Sequence, residues 1–178
     1  AVFTYENRFD GHGVKNENGG IDVTKTQKLL KKITLYGRPD YIINGVNGTP
    51  VKEAEFEYDY SLCPNVPNNK GGSGSGSGKL TLKKVFISSG KSQRGKLNPY
   101  QFNYSSTNPP YTSANYDRWG YYKTPQGSLS NSEFPYALQD STLANQYASA
   151  WRLTEITLPS GGKINIDYES DDYAYVQD

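Results

Sequence analysis

Carboxylates are the residues whose spacing comes nearest to spelling chemistry in this chain. Glu53, Glu55, Glu57 and Asp59 alternate along one run, and Asp167, Glu169, Asp171 and Asp172 gather near the end. Two carboxylates held about 5–10 Å apart across a cleft are enough for glycoside hydrolysis. The first set occupies every second position of a strand-like run, which reads as a solvated strand face. The second, D-Y-E-S-D-D, offers hard oxygen ligands suited to Ca²⁺ but lacks the ordered Gly and Glu of a known calcium loop. His12 is the only histidine and has no G-x-S-x-G partner sequence, so a Ser-His-Asp route has no support. One His and one Cys do not make a zinc site. Gly71–Gly78, GGSGSGSG, lacks the Lys-Ser/Thr ending of a phosphate loop and reads as a flexible linker, natural or engineered. No cofactor is expected beyond that weak calcium set.

The aromatic stretch that carries Tyr111, Tyr116, Asp117, Arg118, Trp119, Tyr121 and Tyr122 is the better binding candidate. Tyr and Trp present flat apolar faces with polar rims, which suits stacking on sugars or docking another protein, and Asp117 and Arg118 would add hydrogen bonds. The competing expectation is that these rings plug the open end of a sheet. Exposed, coplanar rings would mark a carbohydrate-binding module. Rings buried against Phe86, Phe102 and Ile156 would mark a plug.

Composition narrows the field. The 178 residues carry 19 basic and 18 acidic side chains, so the net charge of +1 favours neither nucleic acid nor an anionic membrane. There is no apolar run long enough for a membrane-spanning helix, so no membrane insertion is expected. Only 34% of residues are hydrophobic, yet 16 are Tyr. Tyr, Gly and Asn in such numbers fit β structure with wet, amphipathic faces. The single cysteine, Cys63, cannot form an internal disulfide and is expected to be a buried, inert thiol. With no Met and a start in mid-strand (Val2-Phe3-Thr4-Tyr5), the chain is expected to be one β domain, 1–178, taken from a longer protein.

These side chains need strands to position them. Val51–Tyr60 alternates strictly, with Ala54, Phe56, Tyr58 and Tyr60 on one face and acids on the other. Lys28–Tyr36, Lys79–Ser89 and Asn98–Tyr104 read as further strands, and Trp151–Glu169 as a hairpin about Pro159-Ser160-Gly161-Gly162. Ala1–Phe9 reads as the second strand of a hairpin whose first strand is missing. Asp10–Gly20 and Gly37–Pro50 read as loops. Ser141–Ala150 is the one helix candidate, capped by Asp140 or Ser141. The fold class expected is all-β: antiparallel hairpin repeats in a twisted sheet, spiral strip or sandwich, with one short helix near 141–150.

Three of the strands share one pattern: apolar, two polar, apolar, any, apolar. They are Leu30–Leu35, Leu82–Ile87 and Leu153–Leu158, and each is followed by a strand with a Tyr (Tyr58, Tyr104, Tyr168). The spacing from Ile33, Val85 or Ile156 to that Tyr falls from 25 to 19 to 12 residues. A constant hairpin with a variable loop is what a repeat array shows. Phe3-Thr4-Tyr5-Glu6 would be the tail of a preceding unit.

Arg152-Leu153-Thr154, Pro159-Ser160-Gly161-Gly162 and Asp167-Tyr168-Glu169 carry a family likeness. Together with Tyr58-Asp59-Tyr60 and Tyr116-Asp117-Arg118-Trp119-Gly120, this part of the chain resembles the YD-type repeat of Rhs and toxin-complex shell proteins. It is also similar to large Bacteroidota surface proteins with Y-D-x-W-G and P-x-G-G segments. The resemblance spans Lys79–Val176. It implies hairpins that build a strip of sheet, a secreted or cell-surface location, and a scaffold rather than a catalyst. The implied partners are neighbouring segments of the parent chain or another protein, with a glycan as the alternative.

Overall fold

The computed structural model describes residues 1–70, 78–116, 120–124 and 141–170. Seven strands form one sheet in chain order, every neighbour antiparallel: β1 (Val2–Asn16), β2 (Gly19–Tyr36), β3 (Pro50–Leu62), β4 (Lys79–Ser88), β5 (Tyr100–Tyr104), β6 (Leu153–Thr157) and β7 (Lys163–Asn165). The all-β expectation holds, as a single open sheet among the described residues. The sandwich alternative does not form there. The expected helix is α2 (Ser141–Ala148).

Two stretches read as loops carry regular structure. Asp10–Gly20 is not a loop, because β1 runs on to Asn16 and turns at Glu17-Asn18 into β2. Gly19 and Gly20 hold φ of +89° and +85° there, a conformation that costs a residue without Cβ little. β1 therefore forms a closed hairpin with β2. Its far end also reaches β3: the Phe9 ring lies 3.8 Å from that of Tyr60, and the Tyr60 hydroxyl donates to Asp10 at 3.2 Å. Gly37–Pro50 contains a second short helix, α1 (Arg38–Asn44), and a 3-10 turn at Gly45–Asn47. Pro39 fits the first turn, where its missing N–H is not needed. Asp40 then gathers the turn, accepting from the Asn44 side-chain amide at 2.5 Å and from the Thr49 N–H at 2.6 Å.

Residues 71–77 lie outside the described residues, but the flanks of that stretch are adjacent strands of one sheet, β3 and β4. Gly78, just ahead of β4, is tied to β3: its N–H donates to the Tyr60 carbonyl at 2.9 Å. A Cβ at Gly78 would stand 2.3 Å from the Tyr60 and Leu62 carbonyl oxygens, so backbone contact alone excludes a side chain. At the other end of the chain the Pro159-Ser160-Gly161-Gly162 turn forms as expected. The Gly161 N–H donates to Leu158 and the Leu158 N–H to Gly162, with Gly161 at φ +86°.

Pairing sorts the side chains onto two faces, because residues opposite one another project the same way. One face carries Phe3, Ile33 and Ala54, then Phe56, Val85 and Tyr100, then Phe102, Ile156 and Ile164. The other carries Lys32, Glu53, Glu55, Glu57, Lys84, Gln101, Asn103, Glu155 and Lys163. Buried apolar residues are few among those described: Leu62, Cys63, Tyr122 and Ala150. They sit at one end of the strands, where residues 105–111 hydrogen-bond to Ser61, Cys63, Pro64, Trp151 and Arg152. There the Asn108 side chain accepts from the Cys63 N–H at 2.7 Å, and the Trp151 indole donates to the Pro109 carbonyl at 2.8 Å.

Candidate functional site

The repeat written in the sequence is a repeat of register. Ile33 faces Ala54, Val85 faces Tyr100 and Ile156 faces Ile164. In each hairpin the tyrosine stands four residues beyond that partner, at Tyr58, Tyr104 and Tyr168. The falling spacing is therefore all in the connecting loop. Each tyrosine hydroxyl donates, at 2.9 Å, to the carbonyl of the first leucine in its own pattern: Tyr58 to Leu30, Tyr104 to Leu82, Tyr168 to Leu153. Burial pushes the Tyr58 and Tyr104 hydroxyls up from the ordinary phenol value, which keeps them protonated as donors.

The boundary between units repeats as closely. Phe3 faces Ile33, Thr4 faces Lys32 and Tyr5 faces Leu30. Phe56, Glu57 and Tyr58 meet Val85, Lys84 and Leu82 in the same way, and Phe102, Asn103 and Tyr104 meet Ile156, Glu155 and Leu153. Every time, the register shifts by one residue just before the tyrosine, leaving Lys31, Lys83 or Thr154 as the extra residue of a β-bulge. This explains the spacing of three between the first two apolar positions, which no plain alternation allows. The bulge returns Leu30, Leu82 and Leu153 to the apolar face. Simple alternation along β6 would put Leu153 beside Glu155 instead. The signal was present in the odd spacing of all three copies.

The acidic run on β3 is a charge ladder. Glu53 meets Lys32 at 3.0 Å, Glu57 meets Lys84 at 2.8 Å, and Asp59 lies 3.9 Å from Lys83. Glu55 sits between Lys31 at 4.0 Å and Lys96 at 3.2 Å. Carboxylates matched to lysines of both neighbouring strands do not converge on a cleft. On β6, Glu155 accepts from Lys163 at 2.9 Å and from Asn103 at 2.9 Å, and these bonds hold its carboxyl below the usual range. His12 lies in β1 with its N–H bound to Asn69, and its buried Nδ1 meets no partner among the described residues.

The aromatic set divides. Asp117, Arg118 and Trp119 lie outside the described residues. Tyr116 and Tyr122 form a two-residue antiparallel bridge, yet their rings differ: Tyr122 is 8% exposed and Tyr116 42%. Tyr122 is held edge-on by Trp151 at 5.3 Å and by Tyr147 at 5.2 Å. It is thus buried against α2 and Trp151. The residues expected beneath it do not form one patch, since Phe102 and Ile156 face each other while Phe86 faces Glu55 across the sheet. Tyr111 and Tyr121 are exposed, and Arg152 lies over both the Tyr121 ring at 5.4 Å and the Tyr168 ring at 5.0 Å.

Of the acidic set near the end, Asp167 and Glu169 are exposed, while Asp171 and Asp172 lie outside the described residues. Among the described residues no three His, Cys, Asp or Glu side chains gather closely enough to hold a metal ion. Nor is any described helix long and apolar enough to cross a membrane.

Fold and site together define a class of architecture: an antiparallel meander of three like hairpins, each closed by a tyrosine and joined to the next through a bulge. No family model, curated protein or solved structure matches the chain.

Proposed function

We propose that this chain is a non-catalytic structural segment, a scaffold or interaction platform within a large secreted or cell-surface protein of the Rhs/YD-repeat kind. The observation that carries the reading is the threefold recurrence of the tyrosine-to-leucine hydrogen bond at one register. Repetition of a packing device, with loop length left free, serves extension of a sheet. A catalytic centre instead asks for one convergent set of groups. The partners of such a segment are neighbouring segments of its parent chain or another protein, and it needs no cofactor.

A second reading, a carbohydrate-binding module, draws on the exposed rings of Tyr111, Tyr116 and Tyr121. A glycan array with wild-type protein and the Trp119→Ala variant separates the two. The scaffold reading expects no glycan retained by the wild type. Binding tighter than about 1 mM that the variant loses replaces the scaffold with the module.

A further inference from the structure

Interior tyrosine-bearing strands are flanked on both edges by leucine-bearing ones: β3 lies between β2 and β4, and β5 between β4 and β6. Across the hairpin edge the tyrosine hydroxyl finds a leucine carbonyl. Across the other edge the bulged Phe-x-Tyr pairing forms. β1 has the second relationship alone, through Phe3, Thr4 and Tyr5 against Ile33, Lys32 and Leu30. Its hairpin edge is open among the described residues, where β1 is the outermost strand. Tyr5 and Phe3 are 56% and 52% exposed there, whereas Tyr58 and Tyr104, the interior counterparts of Tyr5, are half-buried.

We propose that the outer edge of β1 at Val2–Tyr5 receives one antiparallel strand carrying the pattern Leu-x-x-(Ile/Val)-x-(Leu/Ile), whose leucine carbonyl accepts from the Tyr5 hydroxyl. This deepens the scaffold reading and rests on it. The three internal hairpins set the register. Ala54, Tyr100 and Ile164 each stand four residues before their tyrosine, a position held by Ala1 before Tyr5. The incoming aliphatic residue therefore lies opposite Ala1. A second folded copy does not supply the strand. Among the described residues both outer strands, β1 and β7, are the tyrosine-side strands of their units, with Tyr168 just beyond β7, and every leucine-bearing strand (β2, β4, β6) already has a neighbour on each edge. Backbone pairing supplies the attraction, and the pattern with its bulge supplies the selectivity.

The test grafts the sequence of Trp151–Lys163, a leucine-bearing strand with its own turn, directly ahead of Ala1 in the full chain. Hydrogen exchange of the Val2–Glu6 amides is then followed by NMR. Slowing by about tenfold or more at the outward amides is expected. Tyr5→Phe should cut that gain by roughly two- to tenfold in the grafted chain and change nothing in the ungrafted one. Unchanged exchange overturns the proposal. So does equal protection from a graft carrying Leu153→Ser, Ile156→Ser and Leu158→Ser, or a grafted chain indifferent to Tyr5→Phe. Glycan binding would sink the scaffold reading whatever this edge does, and failure at this edge leaves the array result as it stands.

Discussion

Tyr58 donates its hydroxyl proton to the carbonyl of Leu30, 28 residues earlier in the chain, across a 2.9 Å contact. The bond spans a hairpin whose connection holds a helix and a 3-10 turn, yet it matches the bond from Tyr168 to Leu153 across a four-residue turn. Loop length thus has no influence on how the hairpin closes.

That equivalence has a direct test. Tyr58→Phe, Tyr104→Phe and Tyr168→Phe should each cost about 0.5–1.5 kcal/mol, the net worth of one hydrogen bond. Urea denaturation of the four single variants, with Tyr5→Phe as the fourth, checks this. Tyr5→Phe should match wild type, because its hydroxyl meets no leucine carbonyl among the described residues.

The bulge makes a sharper demand. Lys83→Ala should change stability by less than about 1 kcal/mol, since it removes one half-buried but solvent-screened cation 3.9 Å from Asp59 and 5.2 Å from the Tyr104 ring. Deleting Lys83 should abolish cooperative thermal unfolding, because a one-residue slip turns Leu82 from the apolar face to the charged one. Circular dichroism melts of the two variants distinguish a role in register from a role of the side chain.

On the charged face, Glu55→Gln should be nearly silent, as exposed pairs contribute about 0–1 kcal/mol. Glu55→Lys should lower the melting temperature, because it sets a third cation between Lys31 and Lys96. About 0.5 M salt should return most of that loss, since screening weakens repulsion between exposed charges.

The β1–β2 hairpin should be sensitive to acid. The Thr24 hydroxyl, aided by Lys25, lowers the Asp22 carboxyl to about 2, and Arg8 holds Asp10 below its ordinary range. A folded pKa below the unfolded one adds stability above about pH 4, and that stability fades as the pH falls through the folded value. Carboxyl NMR titration should therefore find Asp22 at about 2. Thr24→Ala should move its midpoint upward, and a wild-type midpoint near 4 would contradict the hydrogen bond.

Cys63 is 1% exposed, and burial pushes its thiol pKa up, so the reactive thiolate is scarce as well as covered. A thiol reagent should label it only at the rate of unfolding, and labelling should accelerate in urea in step with the unfolded fraction. Fast labelling of the native chain would show the end cluster to be open.

Local pattern determined much of this protein. The alternation of Ala54, Phe56, Tyr58 and Tyr60 against Glu53, Glu55, Glu57 and Asp59 declares a strand and its two faces, because successive side chains point opposite ways. The Pro159–Gly162 turn and the thrice-written leucine pattern are equally local. Tertiary structure decided what those strands meet. Whether Leu153 joins Ile156 or Glu155 depends on one extra residue opposite Tyr104, a matter of register between strands rather than of either strand alone. Asp10–Gly20 reads as a loop by its glycines and asparagines, yet pairing across the hairpin and the contact of Phe9 with Tyr60 draw it into the sheet. Tyr121 and Tyr122 are neighbours of one type, and one is exposed while the other is buried because Trp151 and Tyr147 stand on one side only. A residue's type sets which surroundings it tolerates; which it receives is settled by contacts made many residues away.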